Sequence, residues 1–224
     1  MKPTSMSRDL IQIILMMIMS FICDNVVAQS DMVQQEKYID AKVAKHKNDA
    51  SYHHISVLGC NLGNTYEVFC ENLKKKGFHD IDKESFWKGK SSNKDVGRWK
   101  GKMSNRDVGL QINVCGKYIT SIYMFFACDS EDDKDSTFRN IFGSLNKKYG
   151  KFTRESKTTY YWEKYNVKIQ LYSVSNPLHY IIKSEKEVCI DYEDLIYTNW
   201  IKEYENGIKQ QKLKKERKTY DDNL

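Results

Sequence analysis

Chemistry needs particular side chains at particular spacings, and this chain carries several partial matches. Ser144-Leu145-Asn146-Lys147 fits the SxxK arrangement, in which a lysine stands one helical turn from an acylating serine. It lies in mid-helix and has no companion SDN motif, so the match is coincidental. Cys60 sits in Gly59-Cys60-Asn61-Leu62-Gly63, just ahead of a helix, where a thiol can ionise more readily and a phosphate can dock. That loop lacks the third glycine of GxGxxG and the Gly-Lys-Ser/Thr of a P-loop. His53, His54, His79 and His179 are scattered and supply no evident base. A tight turn accounts for the glycines better. Asp129, Glu131, Asp132, Asp133 and Asp135 gather carboxylates, but without the glycine and terminal glutamate of an EF-hand loop. Acids ahead of a helix suit its positive end in any case. GxSxG and HExxH are missing from the sequence. No catalytic residue, metal ligand or cofactor is expected.

The strongest signal is a repeat. WKGKSSNKDVGR at 87–98 and WKGKMSNRDVGL at 99–110 agree at nine of twelve positions. One copy reads as a strand, a polar turn at Ser104-Asn105-Arg106-Asp107 and the start of the next strand. A second copy adds one strand and one turn, which a fixed sheet cannot absorb without reversing every later strand. The extra segment is therefore expected to protrude as a loop or a self-paired hairpin. Such a ribbon would display Trp87 and Trp99 beside Lys88, Lys90, Lys94, Arg98, Lys100, Lys102 and Arg106, a combination that stacks on rings and pairs with anions. The blander reading has one tryptophan packed over the sheet and the lysines merely solvated.

The first residues indicate where such a surface would act. Lys2 and Arg8 precede an apolar run from Leu10 to Ile22, and small residues end at Val26-Val27-Ala28. A basic start, a short apolar core and a small residue before the cut site read as a secretory signal peptide, cleaved after Ala28. The run falls short of the roughly 20 residues that span a bilayer. Cys23 offers lipidation as a lesser alternative, disfavoured by the bulky Phe21-Ile22 before it. Residues 29–224 then form a periplasmic or secreted chain, for which nucleic acid is a poor partner. An oxidising compartment permits disulfides among Cys60, Cys70, Cys115, Cys128 and Cys189. Their number is odd and their spacings match no zinc pattern. Core packing explains them best.

The net charge of +6 is concentrated at one end. Lys209, Lys212, Lys214, Lys215, Arg217 and Lys218 face only Glu216, which leaves the body near neutral. Such a tail is either an electrostatic tether for anionic surfaces or a solvated helix end, the second being commoner.

Two helices have both ends marked. In GCNLGNTYEVFCENLKKKGF, Asn64 is placed to cap, and Tyr66, Phe69, Cys70 and Leu73 share a face. Gly77 supplies the left-handed stop, and Phe78 folds back over it. In DSTFRNIFGSLNKKYGKF, Asp135 or Ser136 is placed to cap, with Phe138, Ile141, Phe142, Leu145 and Tyr149 as the stripe and Gly150 as the stop. Alternating β-rich sequence follows each helix. Leu110, Ile112 and Val114 lead through Cys115-Gly116-Lys117 to Tyr118, Ile122, Met124 and Phe126 on one face. Val167, Ile169 and Leu171 belong to a second meander closed by EVCIDYE.

The fold expected is α+β, an antiparallel β-sheet covered on one face by two amphipathic helices. The order helix–strand meander occurs twice, as after an internal duplication, and an additional C-terminal helix carries Tyr197, Trp200, Ile201, Tyr204 and Ile208 on one side. The expected organisation is a signal peptide (1–28), a loose polar leader that can turn helical (29–50), a single α+β domain (51–194), and a C-terminal helix with its basic tail (195–224).

VLGCNLGNTYEVFCENLKKKGF, LNKKYGKF and VCIDYED resemble a group of exported, uncharacterised α+β proteins of Bacteroidales bacteria. The resemblance spans about 57 to 194. It implies export and this fold, and brings no assigned activity or site residue. The chain departs from the pattern in its repeat and its cysteine-rich core.

Together these features suggest an exported, non-enzymatic binding domain of the cell envelope, its ligand a protein, a glycan or an anionic surface. The rivals are a protein-binding inhibitor or assembly factor using the open sheet face, and a hydrolase with a dispersed site.

Overall fold

The computed structural model describes residues 33–81, 96–154, 159–164, 166–175, 181–182 and 184–221. The leader 1–28 with Cys23, and Trp87, Lys88, Lys90 and Lys94 of the first repeat copy, lie outside the described residues. The elements in chain order are helix α1 (33–46), strands β1 (Ser56–Val57) and β2 (Cys60–Asn61), helix α2 (Tyr66–Lys75), strands β3 (His79–Asp80), β4 (Val96–Met103), β5 (Arg106–Cys115) and β6 (Tyr118–Cys128), helix α3 (Glu131–Tyr149), strands β7 (Thr153–Arg154), β8 (Tyr160–Lys164), β9 (Val167–Ser175) and β10 (Lys186–Asp194), and helix α4 (Leu195–Asp221).

Eight strands form one sheet in the order β3-β4-β5-β6-β10-β9-β8-β7, every neighbouring pair antiparallel. Each of α2 and α3 is followed by four strands. The two sets run inward from opposite edges and meet at β6 and β10. The doubled helix–meander order is thus present as topology.

Alternation decides the faces. Leu110, Ile112, Ile122, Met124, Ile169, Leu171, Val188 and Ile190 all point to one side, where they form the main core with Phe69 and Leu73 of α2 and Leu145 and Tyr149 of α3. Burying one such side chain fully is worth about 1.5–3 kcal/mol, so this layer holds the sheet and helices together. Phe138, Ile141 and Phe142 line the same layer half-buried.

Helix α2 ends in a Schellman motif: the Phe78 N–H donates to Leu73 O (3.0 Å) and the Gly77 N–H to Lys74 O (3.0 Å). Gly77 has φ 81° and Phe78 is buried, as the residue order requires. The starts of the helices differ from expectation. Thr65, not Asn64, stands at the N-cap of α2 and its side chain makes no cap bond. The Tyr66 N–H donates to Lys117 O at 2.8 Å instead, so the sheet satisfies one of the amides a cap would otherwise serve. Helix α3 begins at Glu131 rather than after Asp135 or Ser136, because the Ser130 Oγ accepts from the Asp133 N–H (3.1 Å) and Glu131, Asp132 and Asp133 fill the first turn.

One face assignment is corrected. A bulge between Asn113 and Val114 shifts the β5–β6 register. Ile119 therefore joins Ile122, Met124 and Phe126 in the main core, whereas Tyr118 packs with Ile39 of α1 and Tyr197 of α4. The expected loose leader is, from residue 33, a packed helix: Ile39 is fully buried, and Tyr38 and Lys42 reach Glu203 of α4 at 3.0 and 2.7 Å. Beyond Ile208, by contrast, α4 is exposed through Thr219, since Leu213 is the single apolar residue in that stretch and offers no face to pack. No helix among the described residues is long and apolar enough to cross a membrane.

Candidate functional site: the open sheet face

The second repeat copy builds a hairpin in the sheet. Ser104 and Asn105 both have positive φ (49° and 65°), the pattern of a two-residue turn whose twist matches the strands. Met103 and Arg106 pair across it. Trp99 points to the helix-covered side, is 1% exposed and donates from its indole N–H to the Tyr66 Oη at 3.3 Å. The expected display of Trp99 for stacking is therefore corrected. It is a core residue, because its register partner Leu110 faces the same layer. The repeated glycines serve close approach: a Cβ on Gly101 would lie 2.6 Å from the Phe78 ring, and one on Gly109 2.4 Å from Ile181 Cγ2.

Arg98, Lys100 and Lys102 alternate with Trp99 and so emerge on the other face, the one α2 and α3 leave open. Lys100 and Lys102 approach Asp107 at 3.6 and 3.9 Å. From Arg98 the pairing runs in one row across six strands, through Gln111, Tyr123, Asp191 and Gln170 to Tyr161. A second row holds Asn113, Ser121, Glu193, Lys168 and Glu163. The Asn113 amide donates to Ser121 Oγ at 2.9 Å, and the Lys168 ammonium lies 5.6 Å from the Tyr161 ring centroid. Between the rows lies a hollow of about 100 Å³ lined by Ser121, Tyr123, Lys168, Gln170, Asp191 and Glu193.

Both ends of the face are closed. Ile181 and Ile182 pack on Phe125 and Cys189 at one end. At the other, α1 and α4 pack on Tyr118 and Cys115. The open part is a small trough of tyrosines, amides and charges of both signs. Burial pushes the Asp191 carboxyl up to about 7, against the opposing Tyr172 O–H, which donates to it at 3.3 Å.

A second polar cluster escaped sequence reasoning. His54 Nδ1 meets Asp194 Oδ2 at 2.5 Å, both side chains almost wholly buried. Asp194 Oδ1 accepts from the Ile196 and Tyr197 N–H groups (3.0 and 3.1 Å) and so starts α4. Tyr52 Oη meets Tyr197 Oη at 2.9 Å, and Tyr197 also donates to Gly63 O at 3.4 Å. The pair looks like the orienting half of a catalytic triad, but His54 Nε2 is buried without a hydrogen-bond partner, so no nucleophile is in its reach. A Cβ on Gly63 would touch this ring. The cluster ties 52–63 to α4. No local motif announces it, since its members are 140 residues apart.

The other candidates resolve structurally. Ser144 donates to Asn140 O (2.9 Å) on the exposed side of α3. Cys60 is buried and accepts from the Asn64 and Asn72 amides at 3.6 and 3.7 Å. Cys60, Cys70, Cys115, Cys128 and Cys189 form no disulfides with one another, and burial pushes the thiols of Cys128 and Cys189 above the ordinary range. In the acidic run, Asp133 accepts two bonds from Arg106 (2.6 and 2.7 Å), which hold its carboxyl down at about 2, and Glu131 pairs with Lys134. No group of three or more His, Cys, Asp or Glu among the described residues could hold a metal ion. No family model, curated protein or solved structure matches the chain.

Proposed function

We propose that this chain is an exported, non-enzymatic binding domain of the cell envelope, and that it takes a partner protein on the open face of its sheet. The carrying observation is the row from Arg98 to Tyr161. Tyrosine and arginine are enriched where proteins meet, and here they stand on a rigid sheet with amides and paired charges between them. At about 100 Å³ the hollow on this face is smaller than ordinary small-molecule sites, and the buried His54–Asp194 pair reaches no nucleophile among the described residues. Export rests on the leader's sequence, and resemblance to exported proteins of the same architecture supports it. Of the nine repeat residues singled out, Arg98, Lys100 and Lys102 belong to this face, Trp99 supports it from beneath, and Arg106 turns to Asp133 of α3.

A photo-crosslinking residue tests this. Placed at Gln170 in cells expressing the full chain, it should capture a discrete partner protein. At Lys147, exposed on α3, the same residue should capture none. Equal capture at the two positions, or capture at Lys147 alone, would refute the reading.

A further inference from the structure

Apart from the sheet face, one groove is built like a small-molecule site. It lies between the loop after α1 and the first turns of α4, has a volume of about 300 Å³, and is lined by His46, Tyr52, Asn166, Asn199, Trp200 and Glu203 among others. We propose that it binds a neutral sugar ring.

The floor is aromatic. The Tyr52 and Trp200 rings are 6.0 Å apart and within 11° of parallel, and His46 leans on Trp200 at 5.8 Å. The rim is polar with capacity to spare. Asn166 sits at a left-handed turn (φ 59°), where its amide donates to Ser51 O at 2.8 Å and its side-chain oxygen remains an acceptor. Glu203 takes Lys42 and Tyr38 on Oε2, which leaves Oε1. Asn199 is exposed and brings both a donor and an acceptor. A pyranose has the matching chemistry: a flat C–H face to lay on rings, and an equatorial belt of hydroxyls that both donate and accept. The volume stands at the low end of the range for small-molecule sites, about 300–1,000 Å³, which suits one sugar ring. The Glu203 carboxylate argues against an anionic ligand, and its Lys42 partner argues against a simple cation.

The buried cluster beneath gives the floor its rigidity. Tyr52 is held by Tyr197 Oη and by edge-to-face contact with His54 (4.6 Å, 85°). His54 is held in turn by Asp194, which caps the helix that carries Trp200. A buried polar network of this kind fixes a single arrangement, which is what a weakly binding sugar site requires.

The test is saturation-transfer NMR on the full chain with N-acetylglucosamine, glucose, galactose and mannose, and with adenosine as an aromatic competitor of similar size. At least one sugar should receive saturation on its ring C–H protons and shift the Trp200 indole signal while those of Trp99 and Trp162 stay in place. Asn199→Ala, on an exposed residue, should weaken that sugar at least fivefold, and Trp200→Ala should abolish it. No transfer to any of the four sugars overturns the proposal. So does adenosine alone shifting Trp200, or Asn199→Ala binding as well as the parent. None of these results touches the sheet face, so the two proposals fail separately.

Discussion

The two copies of the twelve-residue phrase differ at three positions, and each difference falls where the second copy meets the rest of the fold. Ser91 corresponds to Met103, which packs against the main core. Lys94 corresponds to Arg106, whose guanidinium grips Asp133 through both nitrogens and also donates to Ala127 O at 2.6 Å. Arg98 corresponds to Leu110, which is fully buried. The nine shared positions include the tryptophan, both glycines and the Ser-Asn turn on which the hairpin is built. A twelve-residue slip would keep every side chain on its face and keep the turn intact, so the hairpin alone cannot choose its copy. The choice is made by what a slip would bury: Arg98, Lys100 and Lys102 would take the places of Leu110, Ile112 and Val114. Unpaired charges in that layer cost several kcal/mol each.

Converting the second copy into the first breaks this distinction in graded steps. Leu110→Arg should do most damage, lowering stability in urea by about 4 kcal/mol or more, because a charge without a partner enters a filled layer. A loss under about 1 kcal/mol would mean the register is not held there. Arg106→Lys should cost about 1 kcal/mol, since an ammonium cannot make the forked contact. It also has a pH signature. The Asp133 carboxyl titrates lower folded than unfolded, so its contribution is complete above about pH 4 and is lost as pH falls through about 2. In the lysine variant the folded Asp133 carboxyl should titrate closer to its unfolded value, so the variant's deficit should be largest above about pH 4 and narrow as pH falls towards 2 in acid melts. An unchanged acid limb would sever the link to α3. Smallest is the reverse change, Arg98→Leu on the open face, which should alter stability in urea by no more than about 0.5 kcal/mol. A large loss there would place Arg98 among the residues that hold the fold.

Much of the fold was readable before any coordinates. The helix stops at Gly77 and Gly150, the stripes that lead to Leu73 and to Leu145 and Tyr149, and the alternation through Leu110, Ile112 and Val114 are local patterns, and local patterns survive in one dimension. Helix starts were less legible. A cap can be replaced by any nearby carbonyl, as Lys117 O does for Tyr66. Tyr118 was misplaced because a bulge changes parity without leaving a mark in composition. Trp99 stayed open between a displayed ring and one packed over the sheet, because tryptophan among lysines looks the same in sequence whether it faces inward or outward. The deciding fact, its pairing with Leu110, is a matter of register.

Read along the chain alone, the residues specify an antiparallel α+β domain, two amphipathic helices with their glycine stops, and a helical end too charged to pack. Those follow from periodicity and backbone preference within a few turns of chain. That Arg98 and Tyr161 share one row, that Tyr52 and Trp200 share one groove, and that His54 meets Asp194 emerge from the folded arrangement. Side chains distant along the chain become neighbours only when strand order and the placement of the terminal helices are fixed, and long-range packing fixes them.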